Sequence, residues 1–159
     1  MKKNVFRYVA RFILLYTIVY FIVGMISYQL FDYEKALKTI EHFELFRPLG
    51  PENPAMAGVV FLGCIIRGGI LSLFLYPFFG VILVKKHGWF LLFAILFCLT
   101  ALGSPIFLHN LLDPEAISEA GSIGQALNEL KYGVPEITLQ MFLFSLGFFF
   151  WERKKNKPV

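Results

Sequence analysis

The sequence predicts an all-α, polytopic membrane protein with four transmembrane helices arranged as two helical hairpins. Of its 159 residues, 57% are hydrophobic and 16% are charged, whereas a soluble domain carries about a quarter charged residues. Nineteen phenylalanines would overfill a water-soluble core of this size, so we expect many of them to face lipid. Lysines and arginines lie at the edges of the apolar stretches, which is typical of membrane proteins and unlike a nucleic-acid-binding face.

Four apolar stretches are long enough to cross a hydrocarbon layer about 30 Å thick. A signal peptide is the alternative for the first stretch, because Lys2 and Lys3 precede it, but no convincing small-x-small cleavage site follows. We therefore expect a retained first span. The predicted spans cover residues 8–30, 56–84, 89–108 and 135–151. The predicted connections are an inner turn at 85–88 and outer loops at 31–55 and 109–134.

The distribution of basic residues predicts the orientation of these spans. Ten lysines and arginines fall on the side of the two termini and the 85–88 turn, and four fall on the side of the two loops, where they are outnumbered by acidic residues. Short loops rich in Lys and Arg stay in the cytosol. The sequence thus predicts that both termini are cytoplasmic. The absence of glycosylation sequons adds weak support for a bacterial inner membrane.

Both outer loops are predicted to contain a short amphipathic helix. Apolar residues recur at helical spacing between Asp32 and Phe46. In the second loop, Ser122 and Gln125 fit a capping box that opens a helix, and Gly133 and Pro135 are expected to end it. These helices are predicted to cover the bundle or to rest in the headgroup layer.

Small residues at four-residue spacing predict how two of the spans pack. The second span carries Cys64, Gly68 and Ser72 on one stripe, with Gly80 further along. Small side chains let helix backbones approach closely in lipid. We expect this stripe to face the small residues of the third span, which are Ala94, Cys98 and Ala101. A disulfide between the two cysteines is not expected, because they lie about 15 Å apart in depth.

Polar side chains from all four spans are predicted to share one depth, which we call the polar layer. Counted at about 1.5 Å per residue from the nearest basic flank, Gln29, Arg67 and Glu136 lie about 25–27 Å away. Ser104 of the third span lies close to that level, Gln140 lies one turn deeper, and His109 lies somewhat further out. The functional hypothesis is an Arg67–Glu136 ion pair that lines an outward-facing cavity and binds a small polar or anionic ligand, or takes up and releases a proton.

Structural roles explain the same residues. Arg67 can extend outward to headgroup phosphates, and Glu136 follows Pro135 at a predicted helix start, where a carboxylate suits the helix dipole. A third alternative is an ion pair that fixes the register of the helices. The sequence does not separate these alternatives.

Motifs for membrane enzymes are missing from the sequence. It contains no His-Glu-x-x-His, no paired cysteines and no phosphate-binding glycine-rich loop. We expect no catalytic residues, no metal site and no cofactor, although a carboxylate-based site at Glu136 is a third alternative. The leading hypothesis is a small non-enzymatic accessory or regulatory membrane subunit that acts through helix and outer-loop contacts. The alternative is a carrier of a small solute or proton. Expected partners are the lipid bilayer and either another membrane protein or a second copy of the chain.

Overall fold

The computed structural model describes the backbone of residues 5–30, 54–102 and 120–155, and the side chains of the same ranges except at 54–57, 102 and 120–133. Within these ranges the chain forms four α-helices and no strand, which confirms the all-α prediction. They are α1 (Val5–Leu30), α2 (Pro54–Val84), α3 (Gly88–Leu102) and α4 (Ala120–Lys155). The predicted helix between Asp32 and Phe46 lies outside the described residues, as does the end of the predicted third span.

Three of the helices are long and apolar enough to cross a membrane. The qualifying segments are Val5–Leu30, Gly58–Val84 and Val134–Lys155, and the apolar segment of α3, Gly88–Ala101, is shorter. Many large apolar side chains are exposed on the outside of the bundle, among them Leu14, Ile18 and Ile70. Such a surface is suited to lipid contact. The chain is therefore an all-α membrane protein.

The last helix differs from its prediction. We expected a loop helix to end at Gly133 and Pro135 and a separate span to begin there, but α4 runs without interruption from Ala120 to Lys155 and contains Pro135. This predicted break is wrong. Proline removes one backbone hydrogen bond inside a helix, but helices in membranes tolerate proline because neighbouring groups satisfy the freed carbonyl.

The four helices form a bundle in which neighbours along the chain are also neighbours in space. Helix α1 packs along α2 and α4, α3 packs along α4, and α2 and α3 share a smaller contact. The α2–α3 turn is held by a hydrogen bond from the Gly88 amide to the Lys85 carbonyl, 3.1 Å long. The start of α1, this turn and the end of α4 lie together at one end of the bundle, which we call the basic end.

Aromatic side chains fill the half of the core nearest the basic end. Phe12 of α1 packs against Phe144 and Phe148 of α4, with ring centroids 4.6 and 5.0 Å apart. Tyr8 packs 5.0 Å from Phe79 of α2 and 5.5 Å from Phe148. All five rings are fully buried. Other phenylalanines are exposed, as expected, whereas these rings form the core. Aromatic pairs add to the packing energy there beyond the area that they bury.

The small-residue stripe of α2 faces a different helix from the predicted one. Cys64, Gly68 and Ser72 are buried, but a Cβ atom on Gly68 would lie 3.3 Å from Tyr16 Cδ1 and 3.6 Å from Ile13 Cα, both on α1. Glycine at this position lets α1 and α2 approach closely. The predicted seam between the second and third spans is thus wrong, because the large side chains of α1 need the space that Gly68 leaves.

The remaining small residues do not form the predicted seam either. Gly80 is exposed, and no atom lies within 4 Å of the position that a Cβ atom would take there. Cys98 of α3 is an exposed free thiol, whereas Cys64 of α2 is a buried free thiol. Helix α3 instead packs along α4, where the Thr100 hydroxyl lies 3.6 Å from the Met141 sulfur.

Candidate functional site

A hydrogen bond within α4 joins two members of the predicted polar layer. Gln140 Nε2 donates to Glu136 Oε1 over 2.9 Å, because residues four apart lie one turn apart on the same helix face. Gln140 is buried and Glu136 is half-buried. The carboxylate approaches α1 at Gly24, where an added Cβ atom would lie 3.8 Å from Glu136 Oε1. The Glu136 carboxylate therefore lies in the contact between α1 and α4.

Arg67 reaches the same region from α2. Its guanidinium interacts electrostatically with Tyr16 and Tyr20 of α1, and Tyr20 also interacts with Glu136. Tyr20 is thus close to the charged groups of both α2 and α4. Tyr20 is not among the site residues predicted from the sequence. The one sequence feature that connects it to the site is its position one turn before Gly24 on α1. The direct ion pair between Arg67 and Glu136 stays a prediction.

The exposure of Arg67 distinguishes it from Glu136 and Gln140. Its side chain is exposed on the outer surface of α2, among exposed apolar neighbours that include Ile66 and Ile70. A cation in this position has apolar surface around it rather than other polar side chains of α2. This arrangement suits contact with an anionic group from outside the bundle.

Two predicted members of the polar layer contribute less to the described cluster. Gln29 is exposed on the last turn of α1, whereas the hydrogen-bonded pair of α4 lies further inside the bundle. His109 lies outside the described residues. The contact that the structure describes is the one between Glu136 and Gln140, and Arg67 lies on the exposed face of α2.

The interior beside this cluster is tightly filled. A small gap lies next to the hydrogen-bonded pair, but it has no room for a water molecule. It is bordered by side chains of α1 and α4, namely Tyr16, Val19, Tyr20, Gln140, Met141 and Phe144. A solute would need these two helices to move apart before it reached Glu136 through this gap.

A second polar contact, which was absent from the predicted site, lies at the basic end. Arg11 Nη2 of α1 and Glu152 Oε1 of α4 form an ion pair 2.7 Å long. The Glu152 side chain is only 1% exposed, and that of Arg11 is 23% exposed. In the sequence, Arg11 contributes only to the prediction of orientation, as one of the basic residues that flank the first span. The missed signal is that Glu152 continues the buried stripe of α4 through Phe144 and Phe148 at helical spacing.

The described side chains include no group of three or more His, Cys, Asp or Glu residues that could hold a metal ion. The site therefore consists of one cation, one carboxylate, one amide and nearby tyrosines on three packed helices. These groups can form hydrogen bonds and ion pairs. The fold and the site together define a helical membrane protein with a polar cluster inside its apolar segments.

Comparison of the chain with family models, with curated proteins and with solved structures found no match. Its function must therefore be inferred from its own residues.

Proposed function

We propose that this protein is a non-enzymatic accessory or regulatory subunit of a membrane assembly, and that the exposed face of α2 around Arg67 contacts its partner. The observation that carries the proposal is the exposed guanidinium of Arg67 on an otherwise apolar helix surface. A cation inside a membrane helix is costly, by about 2.5–3.5 kcal/mol at the centre and by less toward the outer edge, where the helix rise places Arg67. An anionic group on a partner helix offsets this cost.

The surface next to Arg67 is suited to close helix contact. Gly63 lies one turn before Arg67, is exposed, and has open space where a side chain would be. Glycine lets a second helix backbone approach closely in lipid. A symmetric contact with a second copy of the chain is less favourable here, because parallel α2 helices would bring two Arg67 side chains together. A different membrane protein is therefore the favoured partner.

The proposed topology has four crossings, with both termini in the cytosol of a bacterial inner membrane. The three basic clusters lie together at the basic end, as an even number of crossings requires, and positively charged ends remain in the cytosol. In this topology the two outer loops lie on the side of the membrane opposite to the termini.

Crosslinking from chosen positions tests this proposal. A photoreactive amino acid at Ile70, on the exposed face of α2, is compared with one at Phe150, which is exposed on α4. At native expression level we expect Ile70 to crosslink to one protein in near-stoichiometric yield, and Phe150 to crosslink to none. Arg67→Gln should reduce this crosslinking and the co-purification of the partner. Equal crosslinking from the two positions, or none from Ile70, overturns the proposal.

A carrier of a proton or small solute is the second candidate, favoured by the hydrogen bond between Gln140 and Glu136 and by the nearness of Tyr20. In this mechanism Glu136 would gain and lose a proton as the helices move. The filled interior next to Gln140 favours the first candidate. Purified protein in liposomes with an internal pH dye separates the two. Proton flux that Glu136→Gln abolishes, without loss of partner binding, would support the carrier.

A further inference from the structure

The α2–α3 turn is pressed against α4 at the basic end. A Cβ atom on Gly88 would collide with the Ile82 carbonyl oxygen and would lie 2.7 Å from Cε2 of Phe149. Only glycine fits between the end of α2 and the ring of Phe149. This contact fixes the preceding residues of the turn, Lys85 and Lys86, beside the last turns of α4.

One cation of α4, Arg153, lies over the ring of Phe149. The guanidinium carbon of Arg153 is 5.6 Å from the centroid of Phe149, within the range of cation–π attraction. Arg153, Lys85 and Lys86 are all exposed. Residues that are far apart in the sequence thus form one cluster of positive charge around Phe149, which we call the cationic cluster.

The neighbouring acid does not neutralise this cluster. Glu152 is buried and pairs with Arg11 of α1 at 2.7 Å, so its charge is already balanced on the side of α4 that faces α1. The residue after Arg153, Lys154, is exposed and adds another positive charge nearby. The surface around Phe149 therefore attracts anions.

The surroundings of the cationic cluster are apolar. Val84, Phe90 and Phe150 lie within a few residues of the three cations and are among the exposed large hydrophobic side chains. A ligand that combines an anionic head with hydrocarbon tails matches both parts of this surface, whereas a free anion matches only the charge. Basic pockets between helices at the cytosolic side of membrane proteins suit lipid headgroups for this reason.

We propose that the cationic cluster binds the headgroup of an anionic phospholipid, with the phosphate between the α2–α3 turn and Arg153 and the acyl chains along α2 and α4. This inference does not depend on the proposed partner of α2, because it concerns the opposite part of that helix.

Lipid binding to the purified full chain tests the proposal. The chain in neutral detergent is titrated with phosphatidylglycerol or with phosphatidylcholine, and bound lipid is counted by native mass spectrometry. We expect a clear preference for phosphatidylglycerol. The double variant Lys85→Gln/Lys86→Gln should weaken phosphatidylglycerol binding by roughly 30-fold, from the contribution of two basic residues near a membrane surface.

The matched control removes the same charge at the same end. Arg7→Gln/Lys155→Gln neutralises two exposed cations that are not members of the cationic cluster, since Arg7 is on α1 and Lys155 lies over Trp151 rather than Phe149. It should retain most of the lipid preference. Equal losses in the two double variants would show general charge attraction and overturn the proposal, as would an equal affinity for the two lipids. Competition by inorganic phosphate at the same concentration as the lipid would show a simple anion site, which also overturns it.

Discussion

The two halves of the bundle are held together by different kinds of contact. Toward the basic end, large aromatic rings from α1, α2 and α4 interlock, and the Arg11–Glu152 ion pair closes the end of the core. Toward the polar layer, α1 and α2 approach closely at Gly68, and the Glu136 carboxylate lies beside Gly24 of α1. The first half is held by packed rings, and the second contains the polar groups Glu136 and Gln140.

This difference predicts where substitutions will lower the stability of the protein most. Rings in a packed core resist change in volume, because the space that a lost ring leaves is not refilled. Substitutions in the polar layer remove smaller groups than a ring and therefore leave smaller cavities. We therefore expect substitutions at the basic end to lower the free energy of unfolding more than substitutions in the polar layer.

The largest expected effect is that of Phe148→Ala. Phe148 is fully buried, with its ring 5.0 Å from that of Phe12 and 5.3 Å from that of Phe79. Removal of a buried aromatic ring lowers stability by about 3–5 kcal/mol. The control is Phe150→Ala, because Phe150 is 56% exposed, and its substitution should change stability by less than about 0.5 kcal/mol. Unfolding of both variants in mixed micelles with increasing SDS measures the difference; equal losses would contradict the packed-core description.

Gly88→Ala should have the next largest effect. The new Cβ atom would collide with a backbone carbonyl, that of Ile82, which cannot rotate away as a side chain can. Overpacking costs about 1–3 kcal/mol, and we expect the upper end of this range.

The matched control is Gly80→Ala, in the same helix as Ile82. No atom lies within 4 Å of its Cβ position, and alanine in a helix interior is favoured over glycine by about 0.5–1 kcal/mol. Gly80→Ala should therefore leave stability unchanged or raise it. Thermal unfolding of the two variants in the same detergent tests this; a destabilised Gly80→Ala together with a normal Gly88→Ala would refute the geometry of the turn.

Arg11→Gln should lower stability by about 2 kcal/mol, below the 3–5 kcal/mol typical of a fully buried pair because Arg11 is partly exposed. The loss arises from the Glu152 carboxylate, which is 1% exposed and would lose the cation with which it pairs. In the double variant Arg11→Gln/Glu152→Gln this charge is removed, so stability should recover partly. A double-mutant cycle measures the coupling. Independent, additive losses would show that the pair contributes no specific interaction.

The sequence was sufficient to predict the main features of the fold. Long apolar stretches fix the number and type of the helices, and the basic residues at their ends fix which ends lie together. The spacing along each helix also placed Glu136 and Gln140 on one face, as the hydrogen bond between them requires. These features depend on local composition and helical periodicity, which a single sequence contains.

The contacts between helices were not predictable in the same way. The small residues Cys64, Gly68 and Ser72 predicted that another helix approaches α2 closely. They did not predict which of the other three helices does so, and the structure shows that it is α1. The break at Pro135 was predicted from local rules, which the continuous helix α4 overrides. Glu152 is followed directly by three basic residues, so the sequence did not indicate that its side chain is buried. Its burial depends on the ion pair with Arg11, which is near the other end of the sequence.

The smallest expected effect lies in the polar layer and tests the comparison most directly. Gln140→Leu removes the hydrogen bond to Glu136 but keeps a side chain of similar size, so the loss of stability should be about 1 kcal/mol. The control is Thr138→Val, because the Thr138 hydroxyl bonds to the Val134 carbonyl of its own helix, and it should have almost no effect. Both are measured by the same SDS unfolding as Phe148→Ala. A loss from Gln140→Leu as large as that from Arg11→Gln would mean that Glu136 and Gln140 hold the bundle together, and the polar layer would then be structural rather than functional.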